Sequence, residues 1–420
     1  MVTGYKQTEL GIIPNDWNVE LLGNIASPKA RIGWQNLRKD EFLDSGDFML
    51  ITGTDFENGK INYKICKYVS KERYLQDENI QVKNGDILIT KDGTLGKVAF
   101  VQELHMPATL NAGVFVLTGL SNEVNNRFLY QYLCTEKLMK YAEKTSTGGT
   151  IQHLNQGVLV NFPIPIPPLK EQKRIAQSLF DMDTLIAKSE QAIKKYRALK
   201  QTCLQHMFPR AGQTEPDIRL PGFTGPWEQR KLGELATFNK GAGYSKSDLK
   251  ASGTQIILYG RLYTKYETVI KQVDTFVDSR PGSVYSEGGE VIVPASGETA
   301  EDIAIASVVE KPGILLGGDL NIIHPIRNLD STFLAISISN GEPHKEMAKR
   351  AQGKSVVHLH NDDLSQIKFR YPSIEEQSKI SKFFSNLDNL ITLHQRTCEK
   401  YKKIKQGMME ELLSGKIRLV

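Results

Sequence analysis

The chain has 420 residues, a formal net charge of +5, and 40% apolar and 24% charged residues, a composition typical of a globular protein with two or more domains. Cys66, Cys134, Cys203 and Cys398 stand apart without a CxxC spacing, so we expect neither a disulfide framework nor a zinc site. No apolar run is long enough to cross a bilayer and no N-terminal segment has a signal-peptide pattern, so we expect a cytoplasmic protein.

Residues 13–26 form the first segment with a structural signature, a turn followed by a tryptophan and a short amphipathic stretch. The segment recurs at residues 223–236, where Trp17 and Gly23 return as Trp227 and Gly233. A tryptophan in this position buries a large apolar area, so we predict that it anchors a core in each half of the chain.

Residues 31–118 alternate short apolar runs with Asn-Gly, Asp-Gly and other glycine turns, a pattern that predicts short β-strands. A helical stretch at 125–144 and a small polar loop follow. The second half has the same order of landmarks, although the sequences between them are almost unrelated. We therefore predict one β-rich domain in each half, with the same scaffold and different loops.

Residues 167–208 carry apolar side chains at three- and four-residue spacing, which predicts one amphipathic helix of roughly 60 Å at about 1.5 Å per residue. Residues 372–413 repeat this stripe, displaced by 205 positions. Two such helices can pair as an antiparallel coiled coil. The alternative is that each helix packs independently on its own domain. The predicted helix-pair interface comprises Ile175, Leu179, Met182, Ile186, Ile193, Tyr196, Ile380, Phe384, Leu387, Ile391, Tyr401 and Ile404.

The repeat predicts an α+β fold with a pseudo-twofold axis, in which two tandem β-rich domains are each followed by a long helix. The predicted boundaries are 1–166 and 223–371 for the domains, 167–208 and 372–414 for the helices, and 209–222 for a polar linker. Residues 218–220 and 417–419 share the sequence Ile-Arg-Leu. We therefore expect the tail, 415–420, to pack on the first domain as residues 218–220 pack on the second.

We searched the sequence for catalytic and metal-binding motifs. Residues 93–97, GTLGK, lack the four-residue gap of a phosphate loop, and residues 241–243 are an incomplete dinucleotide fingerprint. No Asn-Pro-Pro-aromatic tetrad occurs. His358 and His360 alternate as in a strand without a third ligand nearby, so we interpret them as structural or surface residues. The sequence predicts no catalytic centre, no metal site and no cofactor in this chain.

Polar loops rich in Gly, Ser, Thr, Lys, Arg and Gln remain, and such loops suit contacts to phosphates and base edges. Ordinary solvated turns have the same composition, so composition leaves both interpretations open. The candidate DNA-binding residues are Lys91, Gly93, Thr94, Lys97, Thr147, Gly149, Thr150, Gln152, Arg261, Ser296, Gly297, Thr299, Arg350, Lys354 and Ser355.

Three strings carry a resemblance to a known family: NGDILITKDGTLGK at 84–97, TGGTIQHLNQGVLVNFPIPIPPLKEQKRI at 147–175, and GKSVVHLHNDDLSQIKFRYPSIEEQSKI at 353–380. Together with the repeated IPxxW-like starts, they resemble the specificity subunit of a type I restriction-modification system. The last string departs from the family pattern, because FRYPSIEEQ replaces a proline-rich segment.

The resemblance implies that the two β-rich domains are target recognition domains, each reading one part of a split double-stranded DNA sequence, and that the helices space them. It also implies that two methyltransferase subunits and restriction (translocase) subunits are partners. S-adenosylmethionine, ATP and Mg²⁺ are then expected in those partners. Two alternatives stay open at this point: a free-standing architectural or regulatory DNA-binding protein, and a self-sufficient nuclease whose site has no recognisable motif.

Overall fold

A computed structural model describes residues 4–145, 153–353 and 356–420. Its contacts divide the chain into two units, unit 1 (Met1–Ser189 with Thr397–Val420) and unit 2 (Glu190–Arg396). The division falls inside the two long helices, so each unit contains a part of both. None of the helices in the described ranges is both long and apolar enough to span a bilayer.

Unit 1 is built on two four-stranded sheets, ordered β11-β10-β13-β4 and β8-β5-β12-β9. All neighbours are antiparallel except β5 and β12, which run parallel. The strands are β1 (Tyr5–Thr8), β2 (Gly11–Pro14), β3 (Asn18–Leu21), β4 (Ser27–Ala30), β5 (Met49–Ile51), β6 (Phe56–Glu57), β7 (Lys60–Ile61), β8 (Lys67–Tyr68), β9 (Gln81–Val82), β10 (Ile87–Thr90), β11 (Val98–Phe100), β12 (Ala108–Leu110), β13 (Val114–Thr118) and β14 (Pro163–Ile166). The helices are α1 (Leu22–Ile25), α2 (Lys71–Leu75), α3 (Asn126–Leu133), α4 (Lys137–Thr145), α5 (Gln156–Val160) and the 38-residue α6 (Leu169–His206).

Unit 2 has a five-stranded sheet, β16-β24-β20-β22-β18, and a three-stranded sheet, β19-β17-β23. Its strands are β15 (Glu228–Lys231), β16 (Ala236–Lys240), β17 (Thr254–Ile257), β18 (Val269–Ile270), β19 (Phe276–Val277), β20 (Val291–Pro294), β21 (Ser296–Gly297), β22 (Ser307–Val309), β23 (Leu315–Leu316), β24 (Leu320–Pro325), β25 (Val357–His358) and β26 (Lys368–Tyr371). Its helices are α7 (Gly260–Thr264), α8 (Ser331–Asn340), α9 (Glu342–Arg350), α10 (Asn361–Ser365) and the 39-residue α11 (Ile374–Leu412).

The short strand before each long helix pairs with the strand after each tryptophan. In unit 1, β14 pairs antiparallel with β3, and in unit 2, β26 pairs with β15. Trp17 and Trp227 are both buried, as the sequence predicts for core anchors. The segment after Trp17 forms the short helix α1, whereas the segment after Trp227 forms a single 3₁₀ turn. The predicted fold class is confirmed: two tandem α+β modules, each leading into a long helix.

A buried glutamine fixes the start of each long helix. The side chain of Gln172 accepts a hydrogen bond from the Asn125 amide and donates to the carbonyls of Glu123 and Pro167. Gln377, 205 positions later, makes the same three bonds to Asp330, Asn328 and Pro372. Both side chains are fully buried, so each satisfies backbone groups that water cannot reach. The repeat therefore extends to individual hydrogen bonds.

The glutamate just before each of these glutamines binds an arginine from another part of the chain. Glu171 accepts two hydrogen bonds from Arg418 of the tail, one from Trp17 Nε1 and one from the Leu419 amide. In unit 2, Glu376 accepts two hydrogen bonds from Arg219. The C-terminal tail thus lies against unit 1 as residues 218–220 lie against unit 2. We refer to these two arrangements as the arginine clasps.

The two long helices are antiparallel within each unit. In unit 2, Tyr196 stacks on His394 with ring centroids 5.6 Å apart, and Lys200 pairs with Asp388 at 2.5 Å. Residue numbers therefore rise along α6 as they fall along α11. In unit 1, Lys405 Nζ lies 2.7 Å from Asp183, which also accepts from Gln131. The two ion pairs are equivalent, since both their acids and their lysines are 205 positions apart.

Residues near the ends of both long helices contribute to the hydrophobic core of each unit. In unit 1 the core includes Ile175 and Leu179 of α6 together with Leu412 of α11. In unit 2 it includes Ile380, Phe384 and Leu387 of α11 together with Cys203 and Met207 near the end of α6. Both sequence-based alternatives therefore describe part of the molecule, because the helices pair with each other and also pack on the modules.

Burial along the middle of the predicted interface is weaker. Ile391 is buried, whereas Met182, Ile186, Ile193, Tyr196 and Tyr401 are half-buried. Contrary to the prediction, Ile404 is 41% exposed, and its equivalent Leu199 is exposed to the same degree. The three-residue step from Tyr196 to Leu199 interrupts the heptad spacing, and this turns both side chains away from the partner helix.

The ion pairs predict a measurable coupling between the helices. A double-mutant cycle with Asp183→Ala and Lys405→Ala is expected to give a coupling energy of about 1 kcal/mol, since both groups are partly buried and the carboxylate has a second donor. The free energy of unfolding from chemical denaturation measures it. A coupling energy below about 0.3 kcal/mol would show that the ion pair does not stabilise the fold.

Candidate nucleic-acid interface

The first candidate loop joins β10 to β11 and contains Lys91, Gly93, Thr94 and Lys97. Thr90 organises it, because its hydroxyl donates to the Thr94 carbonyl and accepts from the Lys97 amide at 3.0 Å. Gly93 and Gly96 both have φ of +70°, a conformation that favours glycine. The loop is therefore fixed by its own hydrogen bonds, and it leaves Gly93, Thr94 and Lys97 exposed.

The same loop is joined to the chain that follows the second candidate loop. The Lys91 carbonyl accepts from the Leu154 amide at 2.9 Å, and Asp92 pairs with His153 at 2.5 Å. Thr147, Gly149, Thr150 and Gln152 lie outside the described residues. The described chain resumes at His153, which lies beside the β10–β11 loop. His153 was not among the predicted residues.

The two lysines of the loop differ in environment. Lys97 is exposed, whereas Lys91 is half-buried with its Nζ 5.6 Å from the centroid of the Phe115 ring. An ammonium group over an aromatic face is already partly stabilised. Lys97 is therefore the better candidate for a phosphate contact.

We expect Lys97→Ala to weaken DNA binding and to reduce the slope of log K against log salt concentration by about 0.9, because one released counterion corresponds to one phosphate contact. Binding measured over a range of salt concentrations provides the test. Lys64→Ala, which removes an exposed lysine from another loop, is the matched control and should leave the slope unchanged. An unchanged slope for Lys97→Ala would make the loop an ordinary solvated turn.

Two candidate segments of unit 2 are also in contact, through strands β21 and β25. Strand β21 pairs antiparallel with β25, so Ser296 lies opposite His358 and Gly297 opposite Val357. The prediction for Ser296 and Gly297 needs correction, because both are buried strand residues and not loop residues. Thr299, just beyond β21, is exposed, and its hydroxyl exchanges hydrogen bonds with Asp302.

The prediction for Arg261 is wrong. Its guanidinium is buried and donates to Glu267, to Asp274 and to the Gln272 carbonyl. Hydrogen bonds from Lys265 and Arg261 lower the pKa of Asp274 to about 2, so this acid is ionised at neutral pH. Arg261 therefore holds the segment after α7 in place.

Aromatic and imidazole rings lie near the β21–β25 pair, and none of them is among the predicted DNA-binding residues. Tyr263 of α7 donates to the Ser296 carbonyl at 2.8 Å, and Tyr259, on the same helix face, is partly exposed. His358 and His360 are exposed and nearly parallel, with ring centroids 6.5 Å apart. Exposed rings offer stacking and hydrogen-bonding surfaces for bases. In the sequence, the four-residue spacing of the two tyrosines and the two-residue spacing of the two histidines indicate that each pair lies on one side of its segment.

The remaining candidates of unit 2 are at the end of α9 and just after it. Arg350 is the last residue of α9 and is half-buried, while Lys354 and Ser355 lie outside the described residues. Across the described ranges, no group of three or more His, Cys, Asp or Glu side chains is placed to hold a metal ion.

Comparisons with known proteins place both halves of the chain in one family. The profile described as the type I restriction modification DNA specificity domain matches residues 14–195 and again residues 224–405. The type I restriction enzyme MjaVIII specificity subunit of Methanocaldococcus jannaschii is 26% identical over 423 residues, covering 97% of this chain and 94% of the relative.

Two solved structures share the fold. The type I restriction-modification system S subunit from M. genitalium is 16% identical, with a TM-score of 0.60 and coverage of 98% of this chain and 99% of that one. A chain from a study of complex assembly and conformational transition in the type I R-M system is 17% identical, with a TM-score of 0.51 and coverage of 96% and 99%.

Proposed function

The chain belongs to the type I restriction modification DNA specificity family, and from this premise we propose that each of its units reads one half of a split double-stranded DNA target. Like its relatives, the chain is a specificity subunit, and it is not a catalytic subunit. In the proposed complex, it selects the site at which partner subunits methylate adenine or cleave DNA.

The observation that carries the proposal is that the two units repeat the same structural scaffold but attach different loops to it. Both units repeat the buried glutamine, the arginine clasp and the strand pair before the long helix. The polar loops attached to this frame differ in sequence and in local structure. In unit 1 a glycine-rich hairpin carries exposed Lys97, whereas in unit 2 the β21–β25 strand pair carries exposed His358 and has Thr299, Tyr259 and His360 near it. Different loops on one frame suit two different half-sites.

Recognition of two half-sites by a pseudo-symmetric protein follows the logic of dimeric DNA readers, which place two similar domains on one duplex. Here one chain supplies both domains. Because the two sets of loops differ, the target is bipartite and asymmetric, with an undefined spacer between its two defined parts.

We further propose that two methyltransferase subunits dock on equivalent surfaces of the helices. Leu169 and Ile374 are 205 positions apart and both exposed, as are Leu199 and Ile404. In each unit, one residue of these two pairs lies near the start of one long helix and the other lies further along the other long helix. Such equivalent apolar positions support two copies of one partner.

Restriction (translocase) subunits complete the proposed complex. Catalysis and its cofactors then belong to the partners: S-adenosylmethionine to the methyltransferase, and ATP and Mg²⁺ to the restriction subunit. The proposed role of this chain is recognition and scaffolding.

Exchange of residues 13–160 for the equivalent segment of a relative with a different target tests the proposal. The chimaera is expected to recognise a sequence in which one half-site has changed and the other has not, since each unit has its own core and loops. Methylation mapping in a host that carries the partner subunits gives the result. A change in both half-sites would show that the units read DNA jointly.

Purification separates the proposal from the other two functions considered. Co-elution with a methyltransferase supports it. DNA binding without any such partner would instead favour an architectural or regulatory protein, and cleavage of DNA by the isolated chain with Mg²⁺ alone would favour a nuclease.

A further inference from the structure

A histidine occupies the same place on the scaffold of both units. His153 and His358 are 205 positions apart, and both are exposed. Each is followed by a buried leucine, whose amide donates to the carbonyl of Lys91 in unit 1 and of Ala295 in unit 2, at 2.9 and 3.0 Å. These two carbonyls belong to the residues directly after β10 and β20. An exposed ring that is kept where the surrounding loops differ is explained by a function rather than by packing.

The residue opposite the histidine differs between the units. The position after each of these carbonyls is Asp92 in unit 1 and Ser296 in unit 2. His153 Nδ1 lies 2.5 Å from Asp92 Oδ1. Ser296 is a buried strand residue that lies opposite His358 in the β21–β25 pair. A carboxylate therefore binds the histidine of unit 1, whereas unit 2 has a serine at the equivalent place.

The bond to Asp92 fixes the roles of the two ring nitrogens of His153. A carboxylate can only accept, so the hydrogen of this bond is on Nδ1. In the neutral ring the other nitrogen, Nε2, is then an acceptor. No hydrogen bond within the described part of the chain engages Nε2, and the side chain is 68% exposed. Unit 1 therefore presents a hydrogen-bond acceptor of fixed identity to the solvent.

The direction of this acceptor is fixed as well. The Lys91 amide donates to the Gly113 carbonyl at 2.9 Å, and the Lys91 carbonyl accepts from the Leu154 amide, so the backbone next to Asp92 and His153 is held on both sides. The Asp92 side chain is 42% exposed, and its charge repels a phosphate but not the neutral edge of a base. A fixed acceptor beside a carboxylate thus suits a hydrogen-bond donor on a base.

Given the proposed role in DNA recognition, on which this step rests, we propose that Nε2 of His153 accepts a hydrogen bond from the amino group of one base in the half-site of unit 1. In the major groove these amino groups are N6 of adenine and N4 of cytosine. Guanine and thymine present the acceptors O6 and O4 instead, so they are disfavoured at this position. Asp92 is the positioning residue. His358 has no carboxylate at the equivalent place, so the same restriction does not apply in unit 2.

Binding of DNA duplexes to the complex of this chain with the proposed methyltransferase partner tests the inference. The duplexes carry the mapped target, and each position of the half-site assigned to unit 1 is changed in turn to the other three base pairs. We expect the native complex to prefer adenine or cytosine at one position by roughly tenfold, the effect of one good base contact. His153→Ala should reduce this preference to below about threefold at that position alone.

Two further variants separate the roles of the two side chains. Asp92→Asn keeps the size of the side chain, but an amide can donate as well as accept, so Nε2 of His153 is no longer confined to the acceptor role. We expect this variant to tolerate guanine or thymine at the same position. His358→Ala is the matched control from unit 2, and it should leave the preferences in the unit 1 half-site unchanged.

Three results would overturn the inference. His153→Ala could leave the preference at every position unchanged. It could weaken the binding of all duplexes equally, which would make His153 a phosphate contact. A change with Asp92→Asn but not with His153→Ala would show that the carboxylate itself contacts the base. A native complex without any sequence preference would instead contradict the proposed function itself.

Discussion

Arg418→Ala is expected to lower the free energy of unfolding of unit 1 by about 3 kcal/mol, because it leaves a buried carboxylate without its main partner. Glu171 is 1% exposed and accepts two hydrogen bonds from Arg418, which also lies above the ring of Trp17. Without the arginine, the carboxylate retains only Trp17 Nε1 and the amide of Leu419 as donors. The tail that carries this amide would itself lose an anchor.

Hydrogen exchange of the buried β13 amides measures this effect in unit 1 alone. Arg174→Ala is the matched control, since Arg174 lies on the same helix but is exposed and donates only to carbonyls of the tail. Its effect should stay below about 0.5 kcal/mol. Arg219→Ala should produce the equivalent loss in unit 2, where Glu376 is equally buried. A loss below about 1 kcal/mol for Arg418→Ala would show that the clasp is not a structural anchor.

The same clasp predicts a pH dependence. Burial opposes the ionised form of Glu171, but hydrogen bonds from Arg418, Trp17 and Leu419 outweigh it, so the pKa of this carboxyl lies below its ordinary value. A lowered pKa stabilises the fold fully above the ordinary glutamate pKa of about 4.3, and this stabilisation is lost as the pH falls through the folded-state value. The difference between the native chain and Arg418→Ala should therefore shrink below about pH 4.

On the bipartite DNA target that we propose, lengthening both long helices by four residues is expected to lengthen the undefined spacer by one or two base pairs. Asp183 and Lys200 of α6 pair with Lys405 and Asp388 of α11, so an insertion in one helix alone would oppose two fixed ion pairs. Matched insertions after Ser189 and after Arg396 avoid this conflict. Four residues add about 6 Å at about 1.5 Å per residue. One base pair corresponds to about 3.4 Å of duplex.

The insertion also rotates the later part of each helix by about 40°, because four residues exceed one turn of about 3.6. This should reduce stability without separating the helices, since their ends are held in the module cores. Four residues inserted into the linker after Gln213 are the control, and they should leave the spacer unchanged. Methylation mapping of an active variant measures the spacer. An unchanged spacer in the helix variant would mean that the helices do not set the distance.

The sequence predicted the two long helices more accurately than the candidate DNA-binding residues. The predicted long helices, 167–208 and 372–413, are observed as Leu169–His206 and Ile374–Leu412. A long stripe repeated at a constant offset explains this success.

Residues whose partners cannot be identified from a motif or from helix or strand spacing were the ones misjudged. Arg261 looked like a loop cation, since nothing local shows that Glu267 and Asp274 surround it. Ser296 and Gly297 have the composition of a turn, yet pairing with residues about sixty positions later buries them as a strand. The sequence likewise gives no local sign that Glu171 binds Arg418 or that Glu376 binds Arg219.

Genome-wide mapping of methylated adenines, in a host that carries this chain with the proposed methyltransferase partner, tests the central proposal most directly. The account predicts one methylated motif with two different defined parts, separated by a gap of constant length, and no such motif when this chain is removed. A continuous or palindromic motif, or a methylation pattern that persists without the chain, would contradict it.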